Sequence, residues 1–194
     1  DKAMVLLADC RRFGSLAFAH AARASFVAIS FLKSFVSLGI LTEEDKRAFL
    51  KTIKTVAGEF EEDGRAISRG KLSKEVYLGR YGHLRPGTYD IRVEAYWEAP
   101  QRYLLPSRSF RDKKKDDSPF RFTRVARDAI ESEFKKLDVE FTFDQIINYI
   151  IKAVQAREYM KFEFTSNLSR GLDLFVECGL DLELTRERVS YLNI

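Results

Sequence analysis

The side chains best suited to chemistry crowd into one stretch, Arg80-Tyr81-Gly82-His83-Leu84-Arg85-Pro86-Gly87-Thr88-Tyr89-Asp90-Ile91. Within these twelve residues lie a histidine, two arginines, two tyrosines and an aspartate, together with two glycines and a proline. Pro86 fixes φ for the second position of a tight turn and Gly87 supplies the positive φ of the third. Arg85-Pro86-Gly87-Thr88 therefore reads as a type II turn. A turn of that kind holds its neighbours rigidly and could set His83 beside Arg85 and Asp90. Two readings stand: a binding site, or a structural corner whose polar groups satisfy one another.

A second set of charges lies on a helical pattern that opens at Thr142. Its apolar stripe, Phe143, Ile146, Ile147, Ile150, Ile151 and Val154, follows i, i+3, i+4, i+7 spacing. Continued, the stripe runs onto Arg157 and Lys161, then Thr165, Leu168 and Leu172. Two cations on an inward face need an anion, from a carboxylate such as Glu158 or from a ligand. The competing reading is a kink near Ala156, or side chains that snorkel outward.

Other chemistries have no foothold. No GxxxxGK[ST] or GxGxxG phosphate loop, GxSxG elbow or HExxH pair occurs. Two cysteines (Cys10, Cys178) and two distant histidines (His20, His83) give no local zinc or haem spacing. His20 sits among alanines and reads as a core histidine. The acidic runs Glu43-Glu44-Asp45 and Glu61-Glu62-Asp63 read as solvated helix faces. With 33 basic against 29 acidic residues the net charge is +4, too mild to call for nucleic acid. The run Arg108, Arg111, Lys113, Lys114, Lys115 is interleaved with aspartates and only flanked by Phe110, Phe120 and Phe122, so no base-stacking platform forms. The sparse cysteines suit a reduced, cytoplasmic setting.

The elements that must position these groups are helical. Apolar residues are 45% and aromatics 13% of 194 residues, a globular composition. Asp1–Phe13 reads as helix, broken at Gly14-Ser15. Leu16–Leu38 reads as a long helix, apolar around most of its girth and therefore central in a bundle. Its run Ser25–Leu41 spans seventeen residues and contains Lys33, short of the roughly 20 apolar residues of a membrane span. No membrane partner is expected. Thr42 with three following acids starts a helix whose stripe runs through Ile53 to Phe60 and stops at Gly70. Ser73 opens a short helix that Gly82 ends. Tyr89–Val93 reads as a short extended piece, and residues 95–122, broken by Pro100, Pro106 and Pro119, as a long loop. Thr123–Leu137, the pattern from Thr142 to about Glu177, and a last helix from Thr185 complete the chain. The prediction is an all-α single domain over 1–194. The chain lacks an initiating Met and starts inside a helical pattern, so it reads as a fragment of a larger protein.

The stretch RYGHLRPGTYDI, as it stands at Arg80–Ile91, resembles a segment of phosphoenolpyruvate synthase and pyruvate phosphate dikinase-like proteins. It is similar, more loosely, to a region of rifampicin phosphotransferases. Ala8-Asp9-Cys10-Arg11-Arg12-Phe13-Gly14 and Phe18–Arg23 resemble the helical lead-in of that family. Arg157-Glu158-Tyr159-Met160-Lys161-Phe162-Glu163-Phe164-Thr165-Ser166-Asn167-Leu168-Ser169 resembles its REY-x-KF-x-FT-x-NLS segment. The resemblance covers most of the chain. It implies a helical middle domain between an ATP-grasp domain and a phosphohistidine domain of the same chain, with ATP and magnesium used by the full-length protein and no cofactor in this piece. His83 lies in the middle-domain motif and is not the phosphocarrier. The resemblance implies a small-molecule acceptor met by His83, Arg85, Thr88, Tyr89 and Asp90 on one side. Arg157, Glu158, Lys161 and Asn167 would meet it from the other, the two sets converging on one ligand. The cations would neutralise a phosphate or carboxylate, and His83 would donate to the acceptor or orient it. The alternative is a non-catalytic helical interaction module whose polar clusters hold helices together.

Overall fold

A computed structural model describes residues 1–87, 89–104 and 120–192. The fold is all-α, and no strand occurs among the described residues. The helices are α1 (Lys2–Asp9), α2 (Leu16–Ser37), α3 (Glu43–Thr52), α4 (Val56–Ser68), α5 (Lys74–Tyr81), α6 (Pro100–Tyr103), α7 (Arg124–Lys135), α8 (Phe143–Asp181) and α9 (Arg186–Val189). By contacts the chain divides into two compact units: Asp1–Phe18, Ala57–Asp112 and Met160–Ile194, and Ala19–Val56 with Lys113–Tyr159.

The second of these units is held by an apolar core. Ala28, Leu32 and Phe35 of α2, Ala126, Ile130 and Phe134 of α7, and Phe143, Ile146, Ile150 and Ala153 of α8 recur at helical spacing and are buried together. Phe31 meets Phe134 edge-on at 5.2 Å, and Phe122 meets Phe49 at 5.1 Å and Phe143 at 5.0 Å. Thr42 caps α3 in a full capping box with Asp45. Only one face of α2 is covered in this unit. Phe26 is 61% exposed and Val27 45%, so the helix is not enclosed on all sides as its composition predicts.

The other unit uses more polar contacts. Phe60 of α4 packs against Tyr77, Tyr81 and Tyr96 at 5.3–5.7 Å. Asp63 Oδ2 accepts from Arg80 Nη1 and from the Tyr81 hydroxyl, both at 2.9 Å. Ser73 caps α5 and Gly82 closes it, as the sequence predicts.

Four local expectations differ from what the chain does. First, helix does not break at Gly14-Ser15. Cys10–Ser15 forms a π-helical turn that joins α1 to α2. Gly14 serves close approach instead of termination, since a Cβ there would lie 2.5 Å from Cβ of Phe164. The continuous run Lys2–Ser37 is consequently 36 residues long, with an 18-residue window of mean hydropathy 1.4. By length and composition it could span a bilayer. Second, the stripe from Phe49 to Phe60 is two helices, because Ile53 turns to an extended conformation (ψ 114°) between α3 and α4. Third, Tyr89–Val93 is not extended: Val93 N–H donates to Asp90 C=O at 3.1 Å in a turn. Fourth, the segment at about 95–122 contains α6, one helical turn begun by Pro100 at its first position. Residues 105–119, with the run Arg108–Lys115, lie outside the described residues.

Gly14→Ala is expected to destabilise the fold by about 1–3 kcal/mol despite alanine's better helix propensity, because the added methyl meets helix α8 rather than solvent. Urea unfolding midpoints of the two proteins check this.

Candidate functional site

Helix α5 delivers the RYGHLRPGTYDI stretch to the C-terminal half of α8. Two backbone hydrogen bonds pin the stretch: Trp97 N–H to Gly82 C=O and Tyr96 N–H to Leu84 C=O, both at 3.0 Å. Residues 85–95 are the excursion between those bonds. Gly87 has φ +80°, the value a type II turn requires at its third position. Thr88 lies outside the described residues.

Arg85 turns inward and its side chain has no solvent exposure. Nε donates to Ser169 Oγ at 3.0 Å, and Nη2 donates to the Ser169 carbonyl at 3.2 Å. Nη2 also pairs with Asp173 Oδ1, and Nη1 donates to the Val93 carbonyl. Glu98 Oε2 lies 3.5 Å from Nη1. Four of these contacts are hydrogen bonds and Glu98 adds an ion pair, so every nitrogen of the buried guanidinium is engaged and its charge faces two carboxylates. The partners are themselves fixed. Asp173 Oδ2 accepts from Trp97 Nε1 at 2.8 Å. Glu98 accepts from Ala95 N–H at 2.7 Å and pairs with Arg186, whose Nη1 donates to Ile91 C=O at 2.9 Å. Two guanidiniums and two carboxylates thus close the excursion onto α8 and α9.

His83 is 5% exposed. Its ring stands edge-on to Phe162 with centroids 4.5 Å apart, and Nε2 lies 3.1 Å from the Phe162 carbonyl. A carbonyl only accepts, so Nε2 carries a proton. Burial pushes its pKa down to about 4, with only partial opposition from the Phe162 carbonyl. Tyr89 is hydrogen-bonded to the buried Thr165 of α8, and burial raises its phenol. Asp90 faces Arg92 instead of His83: Arg92 Nη2 donates to Oδ2 at 2.7 Å, and Arg92 holds the carboxyl down to about 2. The Asp173 carboxyl moves the other way, raised to about 6 by burial and by the charge of Glu98, against the pull of Arg85.

His83, Arg85 and Tyr89 therefore meet α8 at Phe162, Thr165, Ser169 and Asp173. Of the residues expected on α8, Lys161 is exposed and Asn167 lines a separate cleft against the π-helical turn. Arg157 and Glu158 belong to the other unit, where Arg157 Nη1 lies 3.6 Å from Glu158 Oε1 and the guanidinium sits 5.8 Å from the Phe26 ring centroid. The buried cation is Arg85. Sequence reasoning passed over Ser169, Asp173, Glu98, Trp97 and Arg186. A signal for two of them existed: Thr165, Ser169 and Asp173 follow i, i+4, i+8 spacing and so share one face of α8.

Chemically, the cluster holds a neutral imidazole with its proton in use and a guanidinium whose three nitrogens all have protein partners. That arrangement fastens backbone rather than offering a charge to a ligand. Among the described residues no group of three or more His, Cys, Asp or Glu side chains is placed to hold a metal ion. No family model, curated protein or solved structure matches the chain.

Two outcomes check this description. Asp173→Ala leaves Arg85 buried without its strongest partner and is expected to cost about 3–5 kcal/mol. The loss is read from urea unfolding followed by the fluorescence of Trp97, the single tryptophan. His83 gives a pH signature. At pH 7 both folded and unfolded imidazoles are neutral. As pH falls below about 6.5 the unfolded form gains a proton while the folded form stays neutral to about 4, so stability is lost across that window. Relative to His83→Gln, the wild-type protein is expected to lose about 3 kcal/mol between those limits. Asp173 works oppositely, gaining stability as pH falls through 6 because the folded state takes up its proton first.

Proposed function

We propose that this chain is an internal helical domain of a phosphoenolpyruvate-utilising phosphotransferase of the synthase or dikinase-like kind, and that it scaffolds the protein instead of carrying out phosphoryl transfer. The sequence resemblance supports the family. What carries the scaffolding role is the closure of Arg85. The guanidinium that would have met an acceptor is consumed by Ser169, Asp173, Glu98 and Val93. The two most specific stretches of the resemblance also pack on each other, through His83 on Phe162 and Arg85 on Ser169. On this reading ATP and magnesium belong to an ATP-grasp domain and the phosphoryl group to a phosphohistidine domain. The present helices hold the geometry between them, and any small-molecule acceptor is recognised chiefly elsewhere.

The test uses the full-length protein that contains this chain. Incubated with labelled ATP and magnesium, it is expected to become phosphorylated on a histidine outside residues 1–194. Arg85→Ala should lower the melting temperature and the phosphoryl-transfer activity together, with the acceptor KM of the remaining folded enzyme unchanged. A variant that melts normally but needs far more acceptor would overturn scaffolding in favour of acceptor binding. Absence of ATP-dependent histidine phosphorylation would overturn the family reading. The helical interaction module has one observation in its favour: Met4, Val5, Phe13 and Leu16 are each more than half exposed.

A further inference from the structure

We propose that the cleft between the π-helical turn and α8 is a binding site for a small organic cation, an ammonium group carried on an apolar body. The cleft has a volume of about 280 Å³ and lies wholly within the unit that holds Arg85. One wall brings Asp9, Cys10 and Phe13 from the π-helical turn and its approach; the other brings Glu163, Phe164 and Asn167 from α8. Both walls come from stretches that the sequence singles out, Ala8–Gly14 and Arg157–Ser169. The Arg85 network uses neither wall.

The lining selects the ligand class. It offers two carboxylates, one from each wall, and no Lys, Arg or His. Neither Asp9 nor Glu163 is in an ion pair among the described residues. Aromatic rings stand beside those carboxylates, and a ring face attracts a cation within about 6 Å of its centroid. Phe164 is steadied from behind by Phe18, centroids 5.3 Å apart, and Gly14 removes the Cβ that would push Phe164 away. Asn167 adds an amide oxygen that can accept from an ammonium N–H. Burial raises the Cys10 thiol, so it adds no charge to the wall at neutral pH and reacts slowly through its minor thiolate form. A metal ion is the poorer fit, because Asp9, Cys10 and Glu163 do not form one of the three-ligand groups such an ion needs. Cys10, Phe13 and Gly14 of the π-helical turn line the cleft. The turn's wider i→i+5 winding is the kind of insertion found where helices bend around functional sites.

Cys10 supplies an internal reporter, and the exposed Cys178 a control in the same molecule. The experiment measures alkylation of both thiols by iodoacetamide in the whole chain, with benzylammonium, benzyl alcohol or benzoate present. Benzylammonium is expected to slow the reaction of Cys10 and leave Cys178 unchanged. Asp9→Asn and Glu163→Gln should each raise the benzylammonium concentration needed for half-protection by about fivefold, the size of one partly exposed charge contact. Equal protection by benzyl alcohol or benzoate would overturn the charge class. Lack of protection by all three would overturn the site. The wild-type comparison of three probes stands even if a variant folds poorly. It is independent of the phosphotransferase reading, which fails or holds on histidine phosphorylation alone.

Discussion

A buried guanidinium must be paired or it is lost. Desolvating one charge costs several kcal/mol, and only complete hydrogen bonding with nearby countercharge offsets it. Arg85 meets that demand by drawing on three parts of the chain: α8 through Ser169 and Asp173, the turn region through Val93, and the α6 approach through Glu98. The two carboxylates are each tied to a further side chain, Asp173 to Trp97 and Glu98 to Arg186. The geometry of residues 82–99 follows from this requirement more than from any secondary-structure preference, since the excursion has no regular structure between α5 and α6. Replacing such a network with apolar residues can be neutral for stability, so its value lies in specifying one arrangement of an irregular segment.

The same demand explains the chemistry of the neighbours. His83 sits where Phe162 and Trp97 exclude water, so the neutral imidazole is favoured and its proton goes to a backbone carbonyl. Asp173 feels burial and the charge of Glu98 more than it feels Arg85, and its carboxyl rises. Asp90, outside the network and exposed to water beside Arg92, falls. Burial thus sets the direction for His83 and Asp173, and Arg92 sets it for Asp90. An imidazole pushed down and a carboxyl pushed up act oppositely on stability as pH falls.

The unit built from α2, α3, α7 and the first half of α8 works by another principle. Its core is apolar, with aromatic edge contacts between Phe31, Phe134, Phe122 and Phe143 and no buried ion pair among the described residues. Such a core tolerates local change by repacking, where the Arg85 network tolerates little. The long helix α8 contributes to both kinds of packing. Its buried positions run Phe143, Ile146, Ile150, Ala153 in one half and Thr165, Ser169, Val176 in the other. Those two sets do not form one continuous i, i+3, i+4 stripe, and that is why extending the first stripe led to Arg157 and Lys161.

Much was legible without coordinates. Helical class, the helix starts at Thr42, Ser73 and Thr185, and the turn at Pro86-Gly87 follow from local sterics and hydrogen bonding, which act within a few residues and so are written in the sequence. The stretch Arg80–Ile91 announced itself by composition for the same reason. What tertiary structure alone decided is which charges face each other. Arg85 and Asp173 are 88 residues apart, and His83 and Phe162 are 79 apart. No local rule links positions so distant. It also decided that Gly14 marks a close helix contact through a π-helical turn instead of a helix end, because a glycine's meaning depends on what approaches it. Desolvation is a property of the surroundings, not of the residue. The sequence therefore determined that this stretch holds unusual side chains, and only the folded chain determined that its arginine is sealed inside.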